Sequence, residues 1–157
     1  MPSNLFPFVQ KIVSEAKYFD ISRDEILRKL QANDDVEVES EHRFTDDFSN
    51  ELTAVLRLNA SCKNEHVRGW TISLKLHKER IDGIDWEPYF IDHTGAIASG
   101  WHRHLWDRKH QSAKSGKVSV QGFDKVKTRD QFIIRALKEM HITLNRTDYG
   151  TDELPFD

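Results

Sequence analysis

The sequence has very little cysteine: Cys62 is the only one among 157 residues. A single thiol forms no internal disulfide, which argues against disulfide-rich secreted scaffolds and paired-cysteine zinc sites. No window holds the roughly 18 apolar residues that a membrane-spanning helix needs. The N-terminus, MPSNLFPFVQK, has neither a basic leader nor an apolar signal segment. We therefore predict a cytoplasmic protein without membrane contact, in which Cys62 ends a strand and is not a nucleophile.

Several catalytic signatures are also missing. There is no glycine-rich phosphate loop and no G-x-S-x-G elbow, which argues against nucleotide hydrolases and serine hydrolases. The chain also lacks a basic excess, since its formal net charge is −3, so it is not a general nucleic-acid coat protein. Its content of 38% hydrophobic and 31% charged residues is typical of a folded protein, and the length predicts one domain over residues 1–157.

The charges are distributed unevenly along the chain. Residues 34–47 hold seven acidic side chains against Arg43 alone, whereas residues 101–129 hold eight basic side chains against Asp107 and Asp124. A basic surface that also carries histidines is able to bind the phosphates of RNA, although a solvated face is the alternative. We call these eight residues the basic lobe: Arg103, Arg108, Lys109, Lys114, Lys117, Lys125, Lys127 and Arg129.

Hydrophobic periodicity predicts helices at both ends of the chain. Apolar residues recur at helical spacing over residues 4–18, and a capping box from Ser22 to Glu25 opens a second helix that ends near residue 32. Together these segments predict an N-terminal helical hairpin over residues 1–33. Thr128 to Gln131 is a similar capping signal and predicts a helix over 128–142, followed by a frayed acidic tail at 147–157.

Between the helices the pattern changes to the period of two that is typical of strands. Alternating segments predict strands near 36–44, 52–59, 70–77, 81–91, 97–107 and 117–123, and Pro88 predicts a bulge or break in the fourth. The expected fold is α+β: the helical hairpin, an antiparallel sheet of five or six strands over residues 36–123, and a C-terminal helix packed on that sheet.

Residues 99–110, SGWHRHLWDRKH, are the most unusual stretch and the candidate site. On a strand, alternate side chains share a face, so His102 and His104 are expected on one face and Trp101 and Arg103 on the other. Two imidazoles two residues apart are about 6.5–7 Å apart at the backbone, which lets both reach one phosphate or one metal ion. The alternative is that both rings are structural residues of the sheet.

The leading hypothesis is RNA cleavage without a metal ion or other cofactor. Because imidazole titrates near neutral pH, His102 and His104 would act as acid and base in one turnover, and Asp85 would orient an imidazole. Such a pair is expected to face solvent, beside the positive charge that stabilises the phosphorane. The candidates for holding the phosphate and the bases are Arg80, Trp101, Trp106, Arg108, Lys109 and His110.

A metal centre is a second hypothesis for the same histidines. His102 and His104 would supply two ligands from one strand, with Asp92 or His93 as a third from the preceding strand end. Cations follow soon after, at Arg108 and the lysine beside it, and they disfavour a nearby metal ion.

A third hypothesis concerns the tryptophans. Trp86, Trp101 and Trp106 would line a cleft that binds a peptide or small molecule in a non-catalytic accessory protein of a mobile element. Alternatively, these tryptophans together with Tyr89 and Phe90 would stack the bases of single-stranded nucleic acid. Large aromatic side chains are more often part of a core, so at least two of the four tryptophans are expected to be buried.

The order of features from residue 70 to residue 142 resembles a known family. A strand is followed by RIDGIDW at 80–86, then by GWHRHLWD at 100–107, a short strand and a helix. This is similar to the TumE-type toxins, whose members carry a tyrosine–aspartate–asparagine turn and then a G-x-H-x-H segment. The resemblance implies the toxin half of a toxin–antitoxin pair, an RNA-cleaving activity and an antitoxin-like protein as partner. By the same resemblance the site residues are Asp85, His102 and His104.

Overall fold

The computed structural model describes residues 3–63, 66–106 and 116–145. The helices are α1 (Val9–Ser14), α2 (Arg23–Asn33) and α3 (Arg129–Glu139), with 3-10 helices at Ser3–Phe8 and Val67–Gly69. The strands are β1 (Lys17–Ser22), β2 (Asp35–Thr45), β3 (Glu51–Ser61), β4 (Thr71–Leu76), β5 (Glu79–Ile91), β6 (Ile97–His104), β7 (Lys117–Ser119) and β8 (Ile142–Asn145).

Strands β2 to β7 form one six-stranded antiparallel sheet in which each strand pairs with the next along the chain. The prediction of an α+β fold with an antiparallel sheet and a packed C-terminal helix is confirmed. The Phe132 ring of α3 contacts the rings of Trp70 and Trp101, with centroids 5.9 and 5.7 Å apart. Helix α3 therefore covers the face of the sheet to which the Trp101 side chain points.

The N-terminus differs from the expected helical hairpin, because β1 lies between α1 and α2. Helix α1 ends at Ser14, where the buried ammonium group of Lys17 donates hydrogen bonds to the carbonyls of Ile12 and Val13 at 3.0 and 2.8 Å. These bonds satisfy carbonyl groups that the end of a helix leaves free. The chain then extends as β1 and pairs in parallel with β8, which follows α3.

The two predicted capping signals are confirmed. The hydroxyl group of Ser22 accepts a hydrogen bond from the backbone N–H of Glu25 at 3.1 Å, and that of Thr128 accepts one from Gln131 at the same distance. Both residues lie at the N-cap, where a side-chain oxygen satisfies a free backbone donor. The starts of α2 and α3 therefore follow directly from local sequence.

The pairing of β5 with β6 positions the candidate site. Asp85 lies opposite His102 in this ladder, and Trp86 lies opposite Trp101. Because side chains alternate along a strand, the Asp85 and His102 side chains share the face opposite to α3. The predicted irregularity of this strand is also present, since the register of β5 shifts once near residue 81 and again between Glu87 and Phe90.

Some predictions concern residues that the structure does not describe, and others concern where strands end. The acidic tail at 147–157 and most of the loop between β6 and β7 lie outside the described residues. Strand β6 ends at His104 and β7 at Ser119, both earlier than their patterns predicted. None of the described helices is long and apolar enough to span a membrane.

Candidate functional site

The side chains of Asp85, His102 and His104 meet at one point on the sheet face opposite to α3. The Nε2 atoms of both imidazoles lie 2.8 Å from the same carboxylate oxygen, Asp85 Oδ1. The two Nε2 atoms are 3.0 Å from each other. Asp85 and His102 are ladder partners and His104 lies two residues further along β6, so strand geometry alone brings them to one face. The sequence predicted these three residues as a group, and we call them the His–Asp centre.

The orientation of the His102 ring is fixed from both sides. Its Nδ1 atom lies 3.0 Å from the backbone carbonyl of Gly100, and Phe90 packs against the ring with centroids 4.2 Å apart. A carbonyl oxygen only accepts hydrogen bonds, so Nδ1 carries the proton. In neutral His102 the Nε2 atom is therefore an unprotonated nitrogen that points at Asp85 and His104.

The carboxylate of Asp85 is surrounded by positive and hydrogen-bonding groups. Its burial alone would raise the pKa, but the close polar contacts with the His102 and His104 rings and the charge of Arg80 outweigh this effect and hold the pKa of Asp85 well below its usual range. The Arg80 guanidinium lies 3.6 Å from the other oxygen of Asp85, Oδ2. The centre therefore carries an ionised carboxylate with one oxygen directed at the two rings.

Two further charged residues extend the centre, and sequence reasoning missed both. Glu87 lies two residues beyond Asp85 on β5, and its Oε1 atom is 3.8 Å from Nε2 of His102. The ammonium group of Lys117 lies 3.2 Å from the carboxylate of Glu87, because Lys117 pairs with His104 in the β6–β7 ladder. The period of two was a signal for Glu87. Nothing in the local sequence indicated Lys117, because its position depends on which strands pair.

The burial of the centre differs from the expectation of two solvent-facing imidazoles. The side chain of His102 is 0% exposed and that of His104 is 8% exposed. The carboxylate side is more open, with 22% of Asp85 and 35% of Glu87 exposed. Solvent, or a ligand, therefore approaches the centre from the side of the two carboxylates.

Two of the other predicted site residues lie away from the His–Asp centre. Trp101 points to the opposite face and Trp106 is buried, with its backbone N–H bonded to the carbonyl of Ile81. Arg80 is the predicted phosphate-binding residue that does lie beside the centre. Three predicted binding residues fall outside the described residues: Arg108, Lys109 and His110.

The carboxylates that lie beside the two histidines are not the third metal ligand that the sequence suggested. One potential ligand atom from each of Asp85, Glu87, His102 and His104 lies within 4.8 Å of the others. That group does not include His93 or Asp92. The carboxylate of Asp92 instead accepts hydrogen bonds from the backbone N–H groups that follow it in the turn. The carboxylates nearest the histidines come from the facing strand, not from the turn.

The tryptophans divide into two buried and two half-buried residues, as expected. Trp70 and Trp106 are buried, whereas Trp86 and Trp101 line a groove of about 500 Å³ on the face opposite to the His–Asp centre. The guanidinium of Arg68 lies 4.6 Å from the centroid of the Trp86 ring. The predicted cleft thus involves Trp86 and Trp101 but not Trp106.

Part of the basic lobe is used within the protein. Arg129 donates hydrogen bonds to the carbonyls of Leu30 and Cys62, at 3.0 and 2.8 Å. Arg103 forms an ion pair with Asp82, and Lys117 contacts the carboxylate of Glu87, as described above. Arg129 and Arg103 thus position elements of the fold, and among the described residues Arg80 and Lys117 are the cations that lie beside the His–Asp centre.

No protein-family model, curated protein or solved structure matches this chain. The resemblance to TumE-type toxins stays a prediction from the sequence motifs.

Proposed function

We propose that this protein cleaves RNA at the His–Asp centre. The observation that supports this proposal best is the convergence of two imidazole nitrogens and one carboxylate oxygen within 3.0 Å. Imidazoles are the side chains that general acid–base catalysis near neutral pH uses most often, and a carboxylate beside them fixes their orientation. Arg80 and Lys117, which lie beside the two carboxylates of the centre, offset their negative charge where a phosphodiester would bind.

The chemistry of RNA cleavage fits the composition of the centre. The 2′-oxygen attacks the neighbouring phosphorus, the bond from phosphorus to the 5′-oxygen breaks, and the products are a 2′,3′-cyclic phosphate and a 5′-hydroxyl. A proton leaves the 2′-hydroxyl, a proton reaches the 5′-oxygen, and negative charge on the phosphate must be stabilised. The imidazole nitrogens serve the proton transfers, the ionised Asp85 orients the rings, and Arg80 and Lys117 offer N–H donors to the phosphate.

The open side of the centre sets the direction of approach. Because the imidazoles are buried while Asp85 and Glu87 are partly exposed, a substrate phosphate would enter past the carboxylates. The positive charges of Arg80 and Lys117 balance those two carboxylates. An anionic substrate therefore meets no net repulsion at the entrance.

The test is cleavage of an oligoribonucleotide of mixed sequence by the full chain. The wild type is expected to release products that end in a 2′,3′-cyclic phosphate, and to leave the matched 2′-deoxy oligonucleotide intact. Asp85→Asn and His104→Gln are expected to lose at least about 100-fold in rate, while His93→Ala retains the wild-type rate. Equal degradation by the wild type and by Asp85→Asn would show that the RNA is cut elsewhere or by a contaminant.

If the protein is a toxin, its activity is expected to be harmful in a cell that lacks the matching antitoxin-like protein. Expression of the wild-type chain would then arrest growth, and expression of Asp85→Asn at the same level would not. Normal growth with the folded wild-type protein would argue against the toxin role, even if RNA cleavage were measured in vitro.

The groove at Trp86 and Trp101 supports a second candidate function, a non-catalytic accessory protein. Two half-buried indoles beside Arg68 favour an aromatic ligand with negative charge. The dye 1-anilinonaphthalene-8-sulfonate has these properties and is a suitable probe. The folded protein is expected to bind it with increased dye fluorescence that Trp86→Leu abolishes, and binding that Trp86→Leu leaves unchanged would place the dye elsewhere.

A further inference from the structure

We infer that the His–Asp centre binds one divalent transition-metal ion through Asp85, His102 and His104, with Glu87 as an additional oxygen donor. The inference deepens the proposed function, since it assigns a cofactor to the same centre. It also has its own evidence, which is the number of protons available for hydrogen bonds at the centre and the distances between its nitrogen and oxygen atoms.

Too few protons are available for hydrogen bonds among Nε2 of His102, Nε2 of His104 and Oδ1 of Asp85. Nδ1 of His102 uses its proton on the carbonyl of Gly100, so Nε2 of the neutral ring presents a lone pair. The Asp85 oxygen, 2.8 Å away, also presents only lone pairs. His104 has one proton at most to offer from Nε2, and it faces both of these acceptors. At least one close contact therefore joins two acceptors unless a cation lies between them or His102 carries a second proton.

A metal ion removes this conflict, because it accepts a lone pair from all three atoms. The three atoms form a triangle with sides of 2.8, 2.8 and 3.0 Å. Ligands that lie at right angles, each about 2.05 Å from an ion, are about 2.9 Å apart, whereas tetrahedral ligands are about 3.3 Å apart. The triangle matches one face of an octahedral site, an arrangement known as a facial triad of two histidines and one carboxylate.

The surroundings resemble those of metal ligands in general. A ligating histidine usually donates its other N–H group to a carbonyl or carboxylate, which fixes the ring for metal binding. His102 does this with Gly100. Arg80 holds the second oxygen of Asp85, and Lys117 holds Glu87, so both carboxylates are also oriented by neighbours. These contacts keep the donor atoms converged.

The donor set indicates the class of ion. Two imidazole nitrogens and carboxylate oxygens suit Zn²⁺, Mn²⁺, Fe²⁺, Co²⁺ and Ni²⁺, and the absence of sulfur from this group disfavours Cu⁺. Magnesium prefers oxygen ligands and fits two nitrogens poorly. His102 and His104 would hold such an ion, and it would supply an activated water or hydroxyl group in place of the proton-transfer role that the free imidazoles have in the proposed function.

The experiment is calorimetric titration of the chelator-treated full chain with Mn²⁺, Co²⁺ and Zn²⁺. We expect one ion per chain, and we expect Co²⁺ to give a visible absorption band that reports nitrogen and oxygen ligands. Asp85→Asn is expected to weaken binding at least about 100-fold, and His102→Ala and His104→Gln are expected to abolish the absorption band. His93→Ala, which removes the ligand suggested by sequence, should bind as the wild type does.

The results distinguish failure of the metal site from failure of the proposed RNA cleavage. Circular dichroism shows whether a variant has folded, and the wild-type Co²⁺ band does not depend on any variant. No binding of any of the three ions to the folded wild type would overturn the inference, as would wild-type affinity in the folded Asp85→Asn and His104→Gln variants. RNA cleavage that persists after EDTA has removed the ion would overturn its role as a cofactor but retain the proposed function. Metal binding without RNA cleavage would retain the site and reject the substrate.

Discussion

Asp82 and Arg103 form a two-pronged ion pair on the sheet face opposite to the His–Asp centre. The Nε and terminal nitrogen atoms of Arg103 lie 2.8 and 2.7 Å from the two oxygens of Asp82. The side chain of Asp82 is 0% exposed and that of Arg103 is 13% exposed. Arg103 lies between the two histidines in sequence, so this pair anchors the backbone of β6 that holds both rings.

Removal of one partner of this pair is expected to destabilise the protein strongly. Arg103→Met leaves the Asp82 carboxylate buried without its counter-charge, and we expect the free energy of unfolding to fall by about 3–5 kcal/mol. Arg57→Met is the matched control, because Arg57 pairs with Glu39 at 2.9 Å where both side chains are exposed, and its loss should cost less than about 1 kcal/mol. Urea denaturation measures both values, and similar values for the two variants would contradict the role of the buried pair.

Lys17 gives a prediction for the pH dependence of stability. Burial lowers its pKa to about 8 from the ordinary value of 10.5, while the charges of Asp82 and Glu15 favour the ammonium form and that of Arg103 opposes it. Between these two pKa values the unfolded chain binds more protons than the folded chain, so the contribution of Lys17 to stability increases as pH rises through this window. Below pH 8 this contribution is constant.

The measurement compares the wild type with Lys17→Met, so that the titration of other groups largely cancels. The free energy of unfolding of the wild type relative to the variant is expected to rise by on the order of 1–2 kcal/mol between pH 7.5 and 9.5. Lys17→Met should be the less stable protein throughout, because the carbonyls at the end of α1 lose their donor. A difference that stays constant with pH would contradict the lowered pKa.

Cys62 is expected to be chemically inert in the folded protein. It follows β3, its side chain is 0% exposed, and its burial raises the pKa of the thiol to about 12. At pH 8 the thiolate fraction is then on the order of 10⁻⁴. A disulfide reagent such as Ellman's reagent should react with Cys62 only after urea unfolds the protein, and rapid reaction in the native state would contradict this assignment.

The sequence predicted the elements whose signals are local. Strands β2, β3 and β4 show clear alternation, and Ser22 and Thr128 mark the starts of α2 and α3 because a cap needs only a few neighbouring residues. The parallel pair of β1 and β8 was missed because its partners lie more than a hundred residues apart. The alternation of Phe19 with Ile21 was a weak local signal of β1, in the short segment between the two predicted helices to which no element was assigned.

The candidate site, like the fold, was predicted only in part from the sequence. Asp85, His102 and His104 were identified because unusual residues stand out at a spacing that strand geometry brings together. Glu87 and Lys117 look like ordinary charged residues, and only the pairing of β5, β6 and β7 places them beside the histidines. The burial of the rings was also not visible in the sequence, because it depends on contacts such as that of Phe90 with His102.

The most direct test of the His–Asp centre is the imidazole ¹⁵N NMR spectrum of the labelled protein during a titration with Zn²⁺. In the metal-free protein we expect His102 to be protonated at Nδ1, as the contact with Gly100 requires. One equivalent of Zn²⁺ should then shift the Nε2 resonances of His102 and His104 together and leave those of His93 in place. A metal-free spectrum with the His102 proton on Nε2 alone, or a titration in which the two rings respond separately or not at all, would contradict a shared metal centre.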